Sequence, residues 1–150
     1  LDTLSSVWLH HLAACASGTP TTSVQIGLDA AVEFRPLTPE QAQAHLHQLC
    51  SLYAQAWQAP LPVAAKTACA YLVGLQGGHK DPVGKAQATF EGSYQRGGEY
   101  PNSPALQRVF EGFHQVAEQL PEWADHLYQP LLNAARVIHL NADKAEEADA

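Results

Sequence analysis

The sequence predicts a mainly α-helical chain with a small antiparallel β-hairpin, an α+β fold. Three observations predict it. Apolar residues recur at three- and four-residue spacing along most of the chain, the period of an amphipathic helix. Thr38-Pro39, Asp81-Pro82 and Ser103-Pro104 each place proline directly after a capping side chain, which is how helices start. Residues 22–35 instead alternate apolar and polar side chains, the period of a strand.

Taken in order, Leu4, Val7, Trp8, Leu12 and Cys15 line one face of a helix over residues 3–16, stopped by Ser17-Gly18 and Pro20. Val24 and Ile26, then Val32 and Phe34, read as strands over 22–27 and 31–35, joined by the turn Gly27-Leu28-Asp29-Ala30. Thr38, Pro39 and Gln41 open the next helix with a capping box. Its apolar stripe is Ala42, Leu46, Leu49, Cys50, Tyr53 and Trp57, and Pro60 and Pro62 end it. A further helix carries Ala64, Thr67, Ala68, Tyr71, Leu72 and Leu75 on one face and stops at Gly77-Gly78. Asp81-Pro82 begins another, with Val83, Ala86 and Phe90 inward.

Residues 92–104, rich in Gly and Pro, read as a loop. Ser103-Pro104 starts a helix with the stripe Leu106, Val109, Phe110, Phe113, Val116 and Leu120. Leu127, Leu131, Ala135 and Ile138 mark a last helix, with a kink or short break expected at Pro130, which lacks an amide donor. Residues 1–142 are expected to form a single compact domain fragment, and 143–150 an acidic, frayed tail. A chain that starts at Leu1 and contains no Met reads as a piece of a larger protein.

Charge narrows the function classes. The chain carries 8 Lys and Arg against 15 Asp and Glu, a net charge of −7. Residues 1–75 hold a net −2, residues 76–108 a net +1 and residues 109–150 a net −6. Duplex binding needs cations to neutralise phosphates, so strong DNA binding by this chain alone is not expected. The odd number of cysteines (Cys15, Cys50 and Cys69), all in apolar helical patterns, fits buried free thiols in a reducing compartment. With neither signal peptide nor membrane-length apolar run, the cytoplasm is the expected location.

No constellation amounts to a complete catalytic or metal site. His11 and Cys15, four apart, and His47 and Cys50, three apart, have spacing that suits a two-His, two-Cys zinc site. Nothing forces the two helices into register, and both cysteines complete apolar stripes, so core packing is the preferred reading. Asp29 with Glu33-Phe34-Arg35 echoes a nuclease acid set, but the spacing is too tight for two strands. Arg stands where Lys is needed and does not deprotonate. Gly77-Gly78-His79-Lys80 reads as a helix stop and not a phosphate loop. We expect no cofactor. The exposed-anchor candidates are Tyr94, Arg96 and Tyr100 in the 92–104 loop, with flanking charges Lys80, Lys85 and Arg108, because Tyr and Arg dominate interface hot spots. A loop that docks its own tyrosines on the core is the competing reading.

Four segments then resemble one family in order. Leu9-His10-His11-Leu12 through Ser17-Gly18 resembles its Leu-x-His-Leu helix with a small-residue stop. Pro60-Leu61-Pro62 through Lys66-Thr67-Ala68 is similar to its Leu-Pro-x-x-x-Lys-Thr-Ala segment. Gly97-Gly98-Glu99 with Ser103-Pro104 and Arg108-Val109-Phe110 resembles a third block, and Tyr128-Gln129-Pro130-Leu131 a fourth. The family is the gamma subunit of bacterial exodeoxyribonuclease V, the RecC family, in its C-terminal region.

The resemblance implies the rear part of a restriction-endonuclease-like nuclease fold that has lost its active site, and no enzyme activity in this fragment. It also implies a structural and docking role beside the alpha and beta subunits of a helicase–nuclease complex, an ATP-dependent exodeoxyribonuclease acting in double-strand break repair and recombination. DNA would be met through the whole complex. On the same resemblance the hairpin belongs to a larger sheet. The alternative is the rear half of an active metal-dependent DNA nuclease whose catalytic acids lie upstream. A DNA-binding helical module is a third reading, which the charge balance disfavours.

Overall fold

A computed structural model describes residues 2–93 and 96–139. Helices dominate, and a small antiparallel sheet accompanies them. The described chain divides into two compact units, one holding residues 2–50 and 131–139 and the other Ser51–Pro130.

In the first unit, helix α1 (Asp2–Ala16) ends as its glycine predicts. Gly18 has φ 86, a conformation that costs glycine little. Its amide bonds the Cys15 carbonyl at 3.0 Å and the Thr19 amide the Ala14 carbonyl at 3.3 Å, so two carbonyls at the helix end are satisfied. Strands β1 (Ser23–Ile26) and β2 (Ala30–Phe34) form the predicted hairpin, with Val24 opposite Glu33 and Gln25 opposite Val32. Helix α2 (Pro39–Ala56) opens with the predicted capping box: Gln41 donates its amide to Thr38 Oγ1 at 3.3 Å, and Thr38 donates its own to Gln41 Oε1 at 3.1 Å. Trp8, Leu12 and Cys15 of α1 pack with Phe34, Ala42 and Leu131 as the core.

The second unit contains α3 (Ala65–Gln76), α4 (Pro82–Glu91), the two-residue ladder of β3 (Gly92–Ser93) and β4 (Arg96–Gly97), α5 (Pro104–Val109) and α6 (His114–Ala117). Most of α7 (Leu120–Ala134) also belongs to it. Helices α3 and α4 approach closely at Gly74, where a Cβ would lie 3.4 Å from Pro82. The Phe90 ring is centred 5.7 Å from that of Phe113. Gly77-Gly78-His79-Lys80 is a helix stop: Gly78 has φ 65, and its amide and that of His79 bond the Leu75 and Gly74 carbonyls at 3.1 and 2.9 Å.

The chain departs from the sequence expectation in four places. Of the kink or short break expected at Pro130 there is no break: helix α7 continues through it and ends at Ala134. Residues Ala135–His139 form β5, antiparallel to β2 with Val137 opposite Val32, so the sheet order is β1-β2-β5. Ala135 and Ile138, three apart, fit a helix as well as a strand. The unpaired edge of β2 and the β-branched pair Val137-Ile138 decide for the strand. Proline removes one amide donor, a cost that the buried Leu131 beside it helps to offset.

The α2 stripe is buried at Ala42, but Cys50 is exposed, and Tyr53 and Trp57 are 66% and 74% exposed while Leu52 is buried. Periodicity groups residues on a face; it does not say which length of that face a neighbour covers. For the same reason Val83 is exposed while Ala86 and Phe90 are wholly buried. Finally, the stripe from Leu106 to Leu120 is split into α5, α6 and the start of α7. Phe110 turns extended at φ −120 and ψ 142, which ends α5.

Candidate docking site

The site is built around a helix start that lacks a local cap. Ala64 precedes α3 and has no side-chain acceptor, which would leave the first amides unpaired. Glu99, 33 residues beyond Lys66, fills that place. Its Oε1 accepts from the Lys66 amide at 3.0 Å, and its Oε2 accepts from the Thr67 amide at 2.8 Å and the Thr67 hydroxyl at 2.9 Å. A carboxylate at a helix N-terminus is favoured by the helix dipole as well as by the bonds.

The segment that presents Glu99 is pinned to α4. The Glu99 amide bonds the Thr89 carbonyl at 3.0 Å and the Tyr100 amide bonds the Phe90 carbonyl at 2.9 Å. Gly98 makes this approach possible, because a Cβ there would collide with backbone atoms of Phe90, Glu91 and Gly92. The Tyr100 ring stacks on Phe90 with centroids 5.1 Å apart, and its hydroxyl donates to the Phe110 carbonyl at 3.0 Å. Asn102 donates to the Gly98 carbonyl at 2.8 Å, and Gln107 to the Tyr100 and Pro101 carbonyls at 3.0 and 2.9 Å.

Beside this loop lies a cleft of about 440 Å³, lined by Lys66 and Lys85 together with Thr89, Ser93, Asn102 and Glu99 among others. Both lysines are exposed. The ion pair found among the described residues is Arg35 with Glu33, at 3.7 Å, so neither lysine is paired there. Burial pushes the nearby Cys69 thiol up to about 11, and the Glu99 charge acts in the same direction. Cys69 is a core residue and not a nucleophile.

The structure separates the candidates named from sequence. Lys80, Lys85 and Arg108 are exposed, and Lys85 lines the cleft. Tyr100 is half-buried and bonded within its own loop. Tyr94 and the side chain of Arg96 lie outside the described residues. Sequence reasoning missed Lys66 and Glu99 as parts of one site. The available signal was a helix start at Ala64 with no capping side chain, which requires an acceptor from elsewhere.

The zinc candidates fall into two environments. His11 and Cys15 are buried, 3.8 Å apart, and both His11 ring nitrogens are engaged, with Ser23 Oγ and the Arg35 carbonyl, each at 3.0 Å. His47 and Cys50 are exposed. Among the described residues no group of three or more His, Cys, Asp or Glu is placed to hold a metal ion. Asp29 lies in the hairpin turn, and Glu33 pairs with Arg35. No helix among the described residues is long and apolar enough to cross a membrane.

Compared with known families, the chain matches the model of the RecC C-terminal domain over residues 2–76, half of its length. No curated protein matches it.

Proposed function

The chain belongs to the RecC C-terminal domain family, and on that premise we propose that it is a non-catalytic structural and protein-interaction segment of the gamma subunit of a RecBCD-type DNA helicase–nuclease complex. In this reading it serves double-strand break repair and recombination in the cytoplasm. It docks against the alpha and beta subunits, and DNA is reached through the whole complex. The family match carries the reading.

Two features support it. The Gly97-Gly98-Glu99 block lies beyond the matched residues yet bonds directly to Lys66 and Thr67 within them. The exposed Lys and Arg side chains among the described residues of the second unit are Lys66, Lys80, Lys85 and Arg108, while Glu99 accepts bonds from α3 and Asp81 from the Gly84 amide at 2.8 Å. Exposed cations suit an acidic partner surface and speed encounter with it. Residues 2–50 with 131–139 are, on the same reading, the rear part of a nuclease-like fold that no longer cuts DNA. Its Glu33 faces Arg35 and not a lysine able to shuttle a proton.

A pull-down of the alpha helicase subunit by this chain tests the docking role. The parent captures the subunit, and a Lys80→Gln, Lys85→Gln, Arg108→Gln variant of unchanged melting temperature captures less. No capture by the parent would sink the docking role.

A further inference from the structure

We propose that the Lys66–Lys85 cleft receives an acidic side chain from a partner protein. The proposal rests on the docking reading above and names the chemistry of the contact. Two lysines line a cleft of about 440 Å³, within the roughly 300–1,000 Å³ range of pockets that hold ligands. The acid in its wall makes no ion pair with either lysine. Both Glu99 oxygens already accept bonds from the start of α3.

The wall that carries Glu99 is tied to the fold. The Glu99 and Tyr100 amides are tied to α4, and Gly98 lies too close to the Phe90–Gly92 backbone for the loop to carry a side chain there. A preorganised receptor loses little conformational freedom on binding. Ser93, also in the lining, carries a hydroxyl donor.

A carboxylate fits better than a nucleic-acid phosphate. Residues Ser51–Pro130 carry five bases against seven acids, so a nucleic acid, which needs many cations along its backbone, gains few neutralised phosphates, whereas a single carboxylate needs only the two lysines. Binding to single strands relies on aromatic faces for the bases. The aromatic ring of this loop, Tyr100, is stacked on Phe90.

Titration calorimetry of the full chain tests the assignment with three probes: an end-capped acidic octapeptide, its Gln-for-Glu counterpart, and a single-stranded DNA octamer. The acidic peptide binds, weakens as salt is raised, and loses about tenfold or more in affinity to Lys66→Gln/Lys85→Gln, a loss near 1.4 kcal/mol. Arg136→Gln, an exposed cation outside the lining of the cleft, changes it less than about threefold. Because both lysines are exposed, the fold should tolerate these changes. Lys66→Glu/Lys85→Glu gives a second check by exchanging the acidic octapeptide for a lysine one.

Undiminished peptide binding by the Lys66→Gln/Lys85→Gln variant, or no binding by the parent, overturns the proposal. So does a DNA octamer that binds more tightly than the peptide through the same lysines. In the pull-down, capture retained by that variant sinks the cleft and leaves docking intact, whereas no capture by the parent sinks docking itself.

Discussion

His11 shows at the scale of one residue how a side chain suited to a metal becomes part of a core. It is 1% exposed, packs against the rings of Trp8 and Phe34, and bonds on both edges. A carbonyl can accept but not donate, so Nε2 carries the proton toward Arg35 and Nδ1 accepts from Ser23. Burial holds the ring below its usual 6.5, and the bond to the Arg35 carbonyl offsets this only in part. The imidazole is neutral in the fold, so its contribution is complete above pH 6.5 and is lost as pH falls through the lowered folded value. Thermal melts at pH 7.5 and 5.5 should show the parent losing more stability than His11→Gln, by up to about 1.4 kcal/mol per pH unit. Equal losses in both would remove the linkage. The sequence supplied the four-residue spacing of His11 and Cys15. It did not show that Ser23 and Arg35 occupy both nitrogens, because those partners come from β1 and the end of the hairpin.

Helix ends make the same distinction between elements. The starts of α2, α4 and α5 were legible because each cap lies within three residues of the amide it bonds. The start of α3 was not, since its acceptor is Glu99. Replacing Glu99 with Ala removes three hydrogen bonds and a charge at the helix N-terminus, and should cost about 1–3 kcal/mol. Glu99→Gln keeps an acceptor and should cost less. Chemical denaturation of the three proteins measures the order. A Glu99→Ala variant as stable as the parent would mean that water caps α3 equally well. The α2 stripe failed for a related reason. Tyr53 and Trp57 obey the helical period yet stand in solvent, because period describes the helix and burial describes its neighbours.

Over the whole molecule, the third strand carries the main lesson. Strand β2 is central, between β1 and a strand that follows it by a hundred residues. Hydrogen exchange can test this, because a central strand bonds its amides on both sides whereas a hairpin alone leaves every second one open. Amides from Ala31 to Glu33 should all exchange slowly. Alternating fast and slow amides in β2 would mean that β5 is not paired.

By itself the sequence determined the mainly helical character, the hairpin and its turn, the local caps, the Gly18 and Gly78 stops and the family resemblance. All but the resemblance, which rests on the order of blocks along the chain, depend on residues a few positions apart, where period, capping and glycine conformation act. Tertiary structure alone decided the strand at Ala135–His139, the exposure of Cys50 and Trp57, the capping of α3 by Glu99 and the meeting of Lys66 with Lys85. These depend on which distant segments come to lie beside one another, and hydrogen-bond and packing partners are then chosen by proximity in space and not along the chain.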